Sequence, residues 1–281
     1  AIKSAGLTAR ATGYVNLFEA SLNDVDNLAG RAAAGDFAWK DADGFRVSTV
    51  VNNAGTVTDT QTGVVAVGTG KTIDLRALTG DITQNQYVRA DNLRARADTG
   101  SVVLNGRKAS VGVMDDDNNV AVVSGVAAQN FAYTDADNLQ VGTTGATLSD
   151  AATAGISAHV TTGTIDLRSV AGALSQTAAG ALNVANLHAS AATGVVLDTA
   201  TNTVGTIAGS TTANDFVYKD ANSIEVGTVA SVAGITATAA ESRVSLESTA
   251  GALTQHADTD VIATPSLRAV ASTGVADRKS T

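Results

Sequence analysis

The sequence predicts an all-β fold, a parallel β-helix of the solenoid type, and three observations carry this prediction. One series of sequence phrases occurs three times, and each phrase is a short alternating strand bounded by glycine-containing turns. Only 4% of the residues are aromatic, and Gly, Ala, Val, Thr and Ser dominate. Side chains this small favour thin stacked coils over a thick two-layer core.

The repeat consists of three landmarks that recur in a fixed order. The first is a leucine phrase, whose leading residues are Leu7, Leu93, Leu187 and Leu267. The second is an aromatic phrase that begins at Asp36, Asn130 and Asp215. The third is a strand phrase that begins at Thr72, Thr164 and Arg243. Three ordered landmarks in three copies establish an internal repeat.

The long and variable period of this repeat fits two architectures. One is a solenoid with about four coils of roughly 20 to 23 residues in each repeat. The other is a tandem array of immunoglobulin-like β-sandwiches of about 100 residues each. The short strands and the variable spacing favour the solenoid, because a coil absorbs insertions at a corner. We therefore predict one continuous β-helix over residues 1–281, with repeats at about 7–92, 93–186 and 187–266 and the start of a fourth at 267–281.

Charge and composition argue against several partners. The formal net charge of -9 repels phosphate backbones and anionic lipid headgroups, so we expect neither nucleic-acid binding nor membrane insertion. The chain has no cysteine, which excludes disulfides and thiolate metal sites and favours an exported protein. It begins without Met or a leader segment, so we expect a fragment or a processed product.

The aromatic phrase contains pairs of rings two residues apart, so both rings of a pair lie on one face of a strand. The pairs are Phe37 with Trp39, Phe131 with Tyr133, and Phe216 with Tyr218. We expect them to face the interior. Rings that faced outward would instead stack on sugars, which makes Trp39, Tyr133 and Tyr218 the candidate ligand-contact residues.

Acidic phrases follow the aromatic pairs and begin at Asp41, Asp135 and Asp220. Alternating carboxylates resemble a calcium loop, but the bidentate Glu that closes such a loop is missing. Asp, Asn and Gly also suit tight turns, and we interpret these phrases, and the run from Asp115 to Asn119, as turns. We expect no metal site and no cofactor.

Two other residue types recur or stand out. Gln84, Gln176 and Gln255 end the third landmark, where their amides could bond to turn carbonyls or lie on the surface. His159, His188 and His256 fall in different phases of the repeat, which indicates no shared metal site.

The phrases FVYKDANSIEVGT, NTVGTIAGS and AGALTQ resemble the repeat regions of filamentous-haemagglutinin-like exoproteins of Gram-negative bacteria. The resemblance covers essentially the whole chain. It implies a right-handed parallel β-helix, two-partner secretion through an outer-membrane protein, and a secreted or cell-surface location. It also implies adhesion, cell contact or biofilm formation. No functional residue carries over, because the matching positions are scaffold.

The sequence therefore predicts a structural or binding rod rather than an enzyme. Its expected partners are surface glycans or proteins and, end to end, further copies of the chain, because terminal coils expose unpaired strand edges. The segment Val275–Thr281 departs from the repeat and adds charged residues, as a segment that prevents end-to-end strand pairing would. The alternative is a β-helix that binds or degrades polysaccharide, which would need carboxylates gathered in one cleft.

Overall fold

A computed structural model describes residues 1–54, 57–106, 117–147 and 150–277 of the chain. Regular structure in these residues is β-strand, and none of them is helical. Close contacts divide the chain into two compact units, residues 1–136 with 143–153 and residues 137–142 with 154–281. The prediction of one continuous β-helix with the repeat boundaries given above stays a prediction.

The strands are short, and most hold between two and ten residues. Up to residue 135 they are β1 (Lys3–Ala11), β2 (Val15–Leu17), β3 (Asp24–Ala32), β4 (Phe37–Asp41), β5 (Phe45–Val47), β6 (Thr49–Ala54), β7 (Val57–Thr62), β8 (Val64–Ala66), β9 (Thr72–Ala77), β10 (Ile82–Gln84), β11 (Val88–Ala97), β12 (Val102–Leu104), β13 (Asn119–Ala127) and β14 (Phe131–Asp135). The later strands are β15 (Leu139–Val141), β16 (Thr143–Thr144), β17 (Thr153–Ala154), β18 (Ile156–Ser157), β19 (Thr164–Ser169), β20 (Ala173–Gln176), β21 (Leu182–Ala191), β22 (Gly194–Thr211), β23 (Phe216–Asp220), β24 (Ile224–Val226), β25 (Thr228–Val229), β26 (Val232–Ala233), β27 (Ile235–Ala237), β28 (Arg243–Ser248), β29 (Ala252–Gln255), β30 (Ile262–Ala263), β31 (Ser266–Ala271) and β32 (Gly274–Ala276).

In the first unit, strands of successive coils pair in parallel. Leu7 lies beside Leu28, and Ile73 lies beside Leu93, so the chain returns to the same side after one short coil. Phe37 pairs with the more distant Ile73, because the antiparallel hairpin β6–β7 is inserted between them. The predicted coil length and the absorption of insertions between strands are confirmed for these coils.

The second unit follows the same plan. Leu187 lies beside Ile207, and Val244 lies beside Leu267, which are again one coil apart along the chain. Antiparallel pairing occurs in its short hairpin β25–β26. Parallel stacking of coils within each unit shows the predicted β-helix fold, and the sandwich alternative is wrong because immunoglobulin-like sheets are antiparallel.

Alternate residues of each strand fill the interior of the coil. In β9, the apolar Ile73, Leu75 and Ala77 are fully buried and point inward. Arg76, between them, is partly exposed. This period of two is the pattern that a strand with one buried face requires, and it places polar side chains on the outer face unless another segment covers them.

Candidate functional site

The recurring aromatic pairs lie inside the coils. Trp39 and Tyr133 are 0% exposed and Tyr218 is 1% exposed, and the three phenylalanines that precede them are fully buried as well. The expectation that the pairs face inward is confirmed. The candidate ligand-contact residues Trp39, Tyr133 and Tyr218 are corrected accordingly, since their rings pack in the core and leave no face on which a sugar could stack.

Each phenylalanine ring lies against a glycine of a neighbouring strand, a contact that the sequence reasoning missed. A Cβ at Gly30, Gly125 or Gly209 would collide with the ring of Phe37, Phe131 or Phe216 and with a backbone carbonyl of the adjacent coil. Only glycine leaves room for this approach. The available signal was a glycine six or seven residues before each phenylalanine.

The first aspartate of each acidic phrase is buried and holds the backbone. Its Oδ2 accepts the backbone N–H of a valine in the preceding strand at 2.9 to 3.1 Å; the pairs are Asp41 with Val25, Asp135 with Val120, and Asp220 with Val204. Asp41 and Asp220 also accept the N–H two residues further on, at 3.2 and 2.8 Å. These carboxylates therefore serve the turns, as the turn interpretation predicts.

A tyrosine completes this arrangement in two of the three copies. The Tyr133 hydroxyl donates to Asp135 Oδ2 at 2.8 Å, and the Tyr218 hydroxyl donates to Asp220 Oδ2. Burial raises the pKa of Asp220, although the hydrogen bond from Tyr218 and three backbone N–H groups act against the rise. Burial and the nearby carboxylate also raise the pKa of Tyr218.

The first copy differs at this point. Trp39 takes the place of the tyrosine, and its buried indole N–H has no hydrogen-bond partner among the described residues. Burial raises the pKa of Asp41 to about 7, and its contact with Asp43 adds to the rise. Asp41 is therefore a carboxyl group of this layer that titrates near neutral pH.

A buried asparagine closes one corner of the coil in each repeat. The three residues, each at most 2% exposed, are Asn23, Asn118 and Asn202. Asn118 Nδ2 donates to the carbonyls of Leu104 and Thr134 at 2.9 and 3.0 Å, and its Oδ1 accepts the N–H of Val88 at 2.8 Å. Asn23 and Asn202 bond to the corresponding backbone groups. The amide thus links three strands.

The recurring glutamines join these corners. Gln84 Nε2 donates to the carbonyl of Gly106 at 2.9 Å and to Asn118 Oδ1 at 3.1 Å. Gln176 makes the matching bonds to Gly180 and Asn202, at 2.9 and 3.0 Å. Gln255 Nε2 donates to the carbonyl of Asp260 at 3.1 Å. Of the two possibilities left open by the sequence, a bond to a turn carbonyl or a surface position, the structure shows the bond to a carbonyl in all three copies.

A buried ion pair lies on the outer face of the first unit, under a covering segment. Arg94 pairs with Asp74, and both side chains are 2% exposed. The Arg94 guanidinium also donates to Thr147 Oγ1 at 2.8 Å and to the carbonyl of Ala151. The guanidinium therefore fastens Thr147 and Ala151 to the coil and is closed to solvent.

The second unit has a histidine at the equivalent position. His188 Nδ1 lies 2.6 Å from Asp166 Oδ1, and Arg168 bonds to the same carboxylate. Burial alone would raise the pKa of Asp166, but the bonds from His188 and Arg168 outweigh it and hold that pKa below its ordinary value. Sequence reasoning did not foresee this pair.

The other two histidines lie elsewhere, on the surface. His159 Nδ1 lies 3.1 Å from the Thr161 hydroxyl, and His256 Nδ1 lies 3.1 Å from Glu225. Within the described ranges, no group of three His, Cys, Asp or Glu side chains is placed to hold a metal ion.

Two of the surface recesses on the described residues are considered as places where a ligand could lie. A shallow recess of about 450 Å³ in the first unit is lined by Asp26, Arg46, Asp81 and Thr83. The side chains of Asp26 and Arg46 make no hydrogen bond to another described residue, so their charged groups are free to meet a polar ligand.

The second recess, of about 330 Å³, lies at the last described coil and is apolar. Leu267 and Val275 line it and are 51% and 54% exposed, whereas Leu93 and Leu187, which begin the same landmark, are fully buried. Leu93 and Leu187 are each covered by a strand of the next coil, in which Val123 lies beside Leu93 and Ile207 lies beside Leu187.

Part of two sequence predictions lies outside the described residues. Asp115 and Asp116 of the acidic run are among them, whereas Asn118 forms the corner described above. The last four residues of the segment Val275–Thr281 also lie outside.

Comparison with known proteins gives no further assignment. The described residues include no helix that is long and apolar enough to cross a membrane. No family model matches the chain, and neither the curated proteins nor the solved structures include a significant match.

Proposed function

We propose that this chain is a structural and binding rod of a secreted bacterial adhesin, of the kind its repeats resemble. The main support for the proposal is that the polar residues that recur with the repeat are already bonded to the backbone of the coils. The carboxylates of Asp41, Asp135 and Asp220 and the amides of Asn118 and Asn202 are buried and bonded to backbone groups. Groups used in this way hold coils together rather than acting on a substrate.

The apolar recess at Leu267 and Val275 supports a stacking role. In the interior of each unit, the equivalent leucines are covered by a parallel strand of the next coil. A further coil would cover Leu267 in the same way, whether it came from continuing chain or from a second copy of this protein. Secretion through an outer-membrane partner and a cell-surface location belong to the same proposal.

The adhesin proposal is tested with beads that carry the purified chain. We expect these beads to attach to cells or to surface glycans and proteins, and we expect electron micrographs of the free chain to show elongated particles. Beads carrying heat-unfolded chain are the matched control. Compact particles, or equal attachment by folded and unfolded chain, would contradict the proposal. If the particles are elongated but the beads attach to nothing, the chain is a purely structural fibre and the proposed binding role is wrong.

The recess at Asp26 and Arg46 favours polysaccharide binding as a second candidate. Carboxylate and guanidinium groups on an exposed face can bond to several sugar hydroxyls at once. Asp26→Asn combined with Arg46→Gln should then weaken retention on polysaccharide columns, while the corresponding exchanges at the exposed ion pair of Asp24 with Lys3 should not. Release of new reducing ends by the unaltered chain would show degradation rather than binding. Equal retention of all variants would remove this candidate.

A further inference from the structure

The chain contains a single Asn-Gly pair, Asn105 with Gly106, which directly follows β12. Both residues are exposed and lie outside any strand. The Asn105 side chain and the Gly106 backbone N–H make no hydrogen bond to other described residues. Among the described residues, nothing therefore holds either of the two groups that would react with each other.

The buried asparagines differ on each of these points. Asn118 is 2% exposed, its amide is bonded to Leu104, Thr134 and Gln84, and its neighbour on the chain is Asn119. An amide held in this way cannot turn toward the next backbone nitrogen. Glycine also offers that nitrogen without the hindrance of a Cβ, which the residue after Asn118 does not.

We propose that Asn105 is a site of spontaneous deamidation. The Gly106 backbone nitrogen attacks Asn105 Cγ, a C–N bond forms, the Cγ–Nδ2 bond breaks, and ammonia leaves with the proton from the Gly106 amide. Water then opens the resulting succinimide at either carbonyl, which gives aspartate or isoaspartate. The conversion consumes one water, releases one ammonia and changes no oxidation state.

The two products differ in their effect on the coil. Leu104 pairs with Tyr133 as Leu197 pairs with Tyr218, so Asn105 corresponds to Asp198. An aspartate is thus already present at this corner in the next repeat. Isoaspartate instead inserts an extra carbon into the backbone beside the Gly106 carbonyl, which accepts the 2.9 Å bond from Gln84. The aspartate product leaves the corner intact, and the isoaspartate product weakens it.

The test is incubation of the full chain at mildly alkaline pH, followed by mass mapping of its peptides. We expect the peptide with Asn105 to gain the mass of NH₂ replaced by OH, and an isoaspartyl methyltransferase to label it. Gly106→Ala should slow this gain several-fold. Asn105→Asp should have the same melting temperature as the fresh chain, whereas the aged, isoaspartate-containing chain should have a lower one.

Two results would overturn the proposal. One is an Asn105 peptide that changes no faster than those of the exposed Asn214 and Asn222, which are followed by Asp and Ser. The other is a Gly106→Ala variant that is modified at the unaltered rate. Equal melting temperatures of the aged and the fresh chain would overturn the effect assigned to isoaspartate.

Discussion

The first and third copies of the aromatic phrase fill the same layer of a coil but differ at one contact. Tyr218 ends in a hydroxyl that reaches Asp220, whereas Trp39 ends in an indole N–H that reaches no described partner near Asp41. Both rings are buried to the same degree. Filling the interior of the coil and bonding to its buried carboxyl group are therefore separate tasks, and only the tyrosine performs both.

The greatest loss of stability is expected at the phenylalanine layer that all copies share. Phe131→Ala removes a fully buried ring and should cost about 3 to 5 kcal/mol in the free energy of unfolding. The damage should stay near that coil and its neighbours, because a solenoid is stabilised locally. Thermal unfolding measures the cost, and Tyr14→Ala, at a 59% exposed ring, is the control that should change little. Unchanged stability with lost glycan binding would make the aromatic layer a binding surface after all.

The second effect isolates the hydroxyl that separates the copies. Tyr218→Phe keeps the ring but removes the donor to Asp220, so it should cost about 2 kcal/mol, the range for a hydrogen bond to a charged group. Tyr14→Phe is the matched control and should be neutral. Chemical denaturation gives both values. Equal stability of Tyr218→Phe and the unaltered chain would mean that the tyrosine is only a filler, as Trp39 is.

The third effect is a pH dependence specific to the first copy. The pKa of Asp41 is raised from 3.8 to about 7. As the pH rises, the Asp41 carboxyl group therefore loses its proton in the unfolded chain before it does so in the folded chain. The stabilising contribution is complete below pH 3.8 and is lost as the pH rises through about 7. Asp41→Asn cannot ionise and should flatten this part of the stability profile.

Denaturation midpoints across that range measure the change, with Asp26→Asn, at an exposed position, as the control. Parallel loss of stability in Asp41→Asn and the unaltered chain as the pH rises would contradict the role assigned to Asp41.

A smaller effect concerns the hairpins, which also differ between copies. The two-residue turn of β25–β26 holds Ala230 and Ser231 at φ of 50° and 65°, a conformation that favours Gly and Asn. Ser231→Gly should stabilise the second unit by about 1 kcal/mol, because it removes the cost of the left-handed conformation. Ser231→Thr should destabilise it, since a β-branched residue tolerates this region least. A higher melting temperature for Ser231→Thr than for Ser231→Gly would show that the left-handed conformation at Ser231 costs no stability.

The ordered repeat of short strands was enough to predict stacked coils, and the two-residue spacing of the aromatic pairs, in a chain with only 4% aromatic residues, was enough to predict that both rings of a pair lie on one buried face. It could not predict the bond from Val120 to Asp135, which depends on how the successive strands β13 and β14 lie relative to each other. Nor could it predict that Arg94 is buried, since the residues that cover it lie much further along the chain. Contacts between distant segments are fixed by packing, and local sequence carries no signal for them.

We expect the recurrent acidic and amide residues to serve the fold and not a bound cation. The direct test is the melting temperature of the full chain with calcium and with a chelator. We expect the two values to coincide, because the buried Asp41, Asp135 and Asp220 carboxylates accept backbone N–H groups instead. A fall of several degrees in the chelator would contradict the claim and make these aspartates metal ligands.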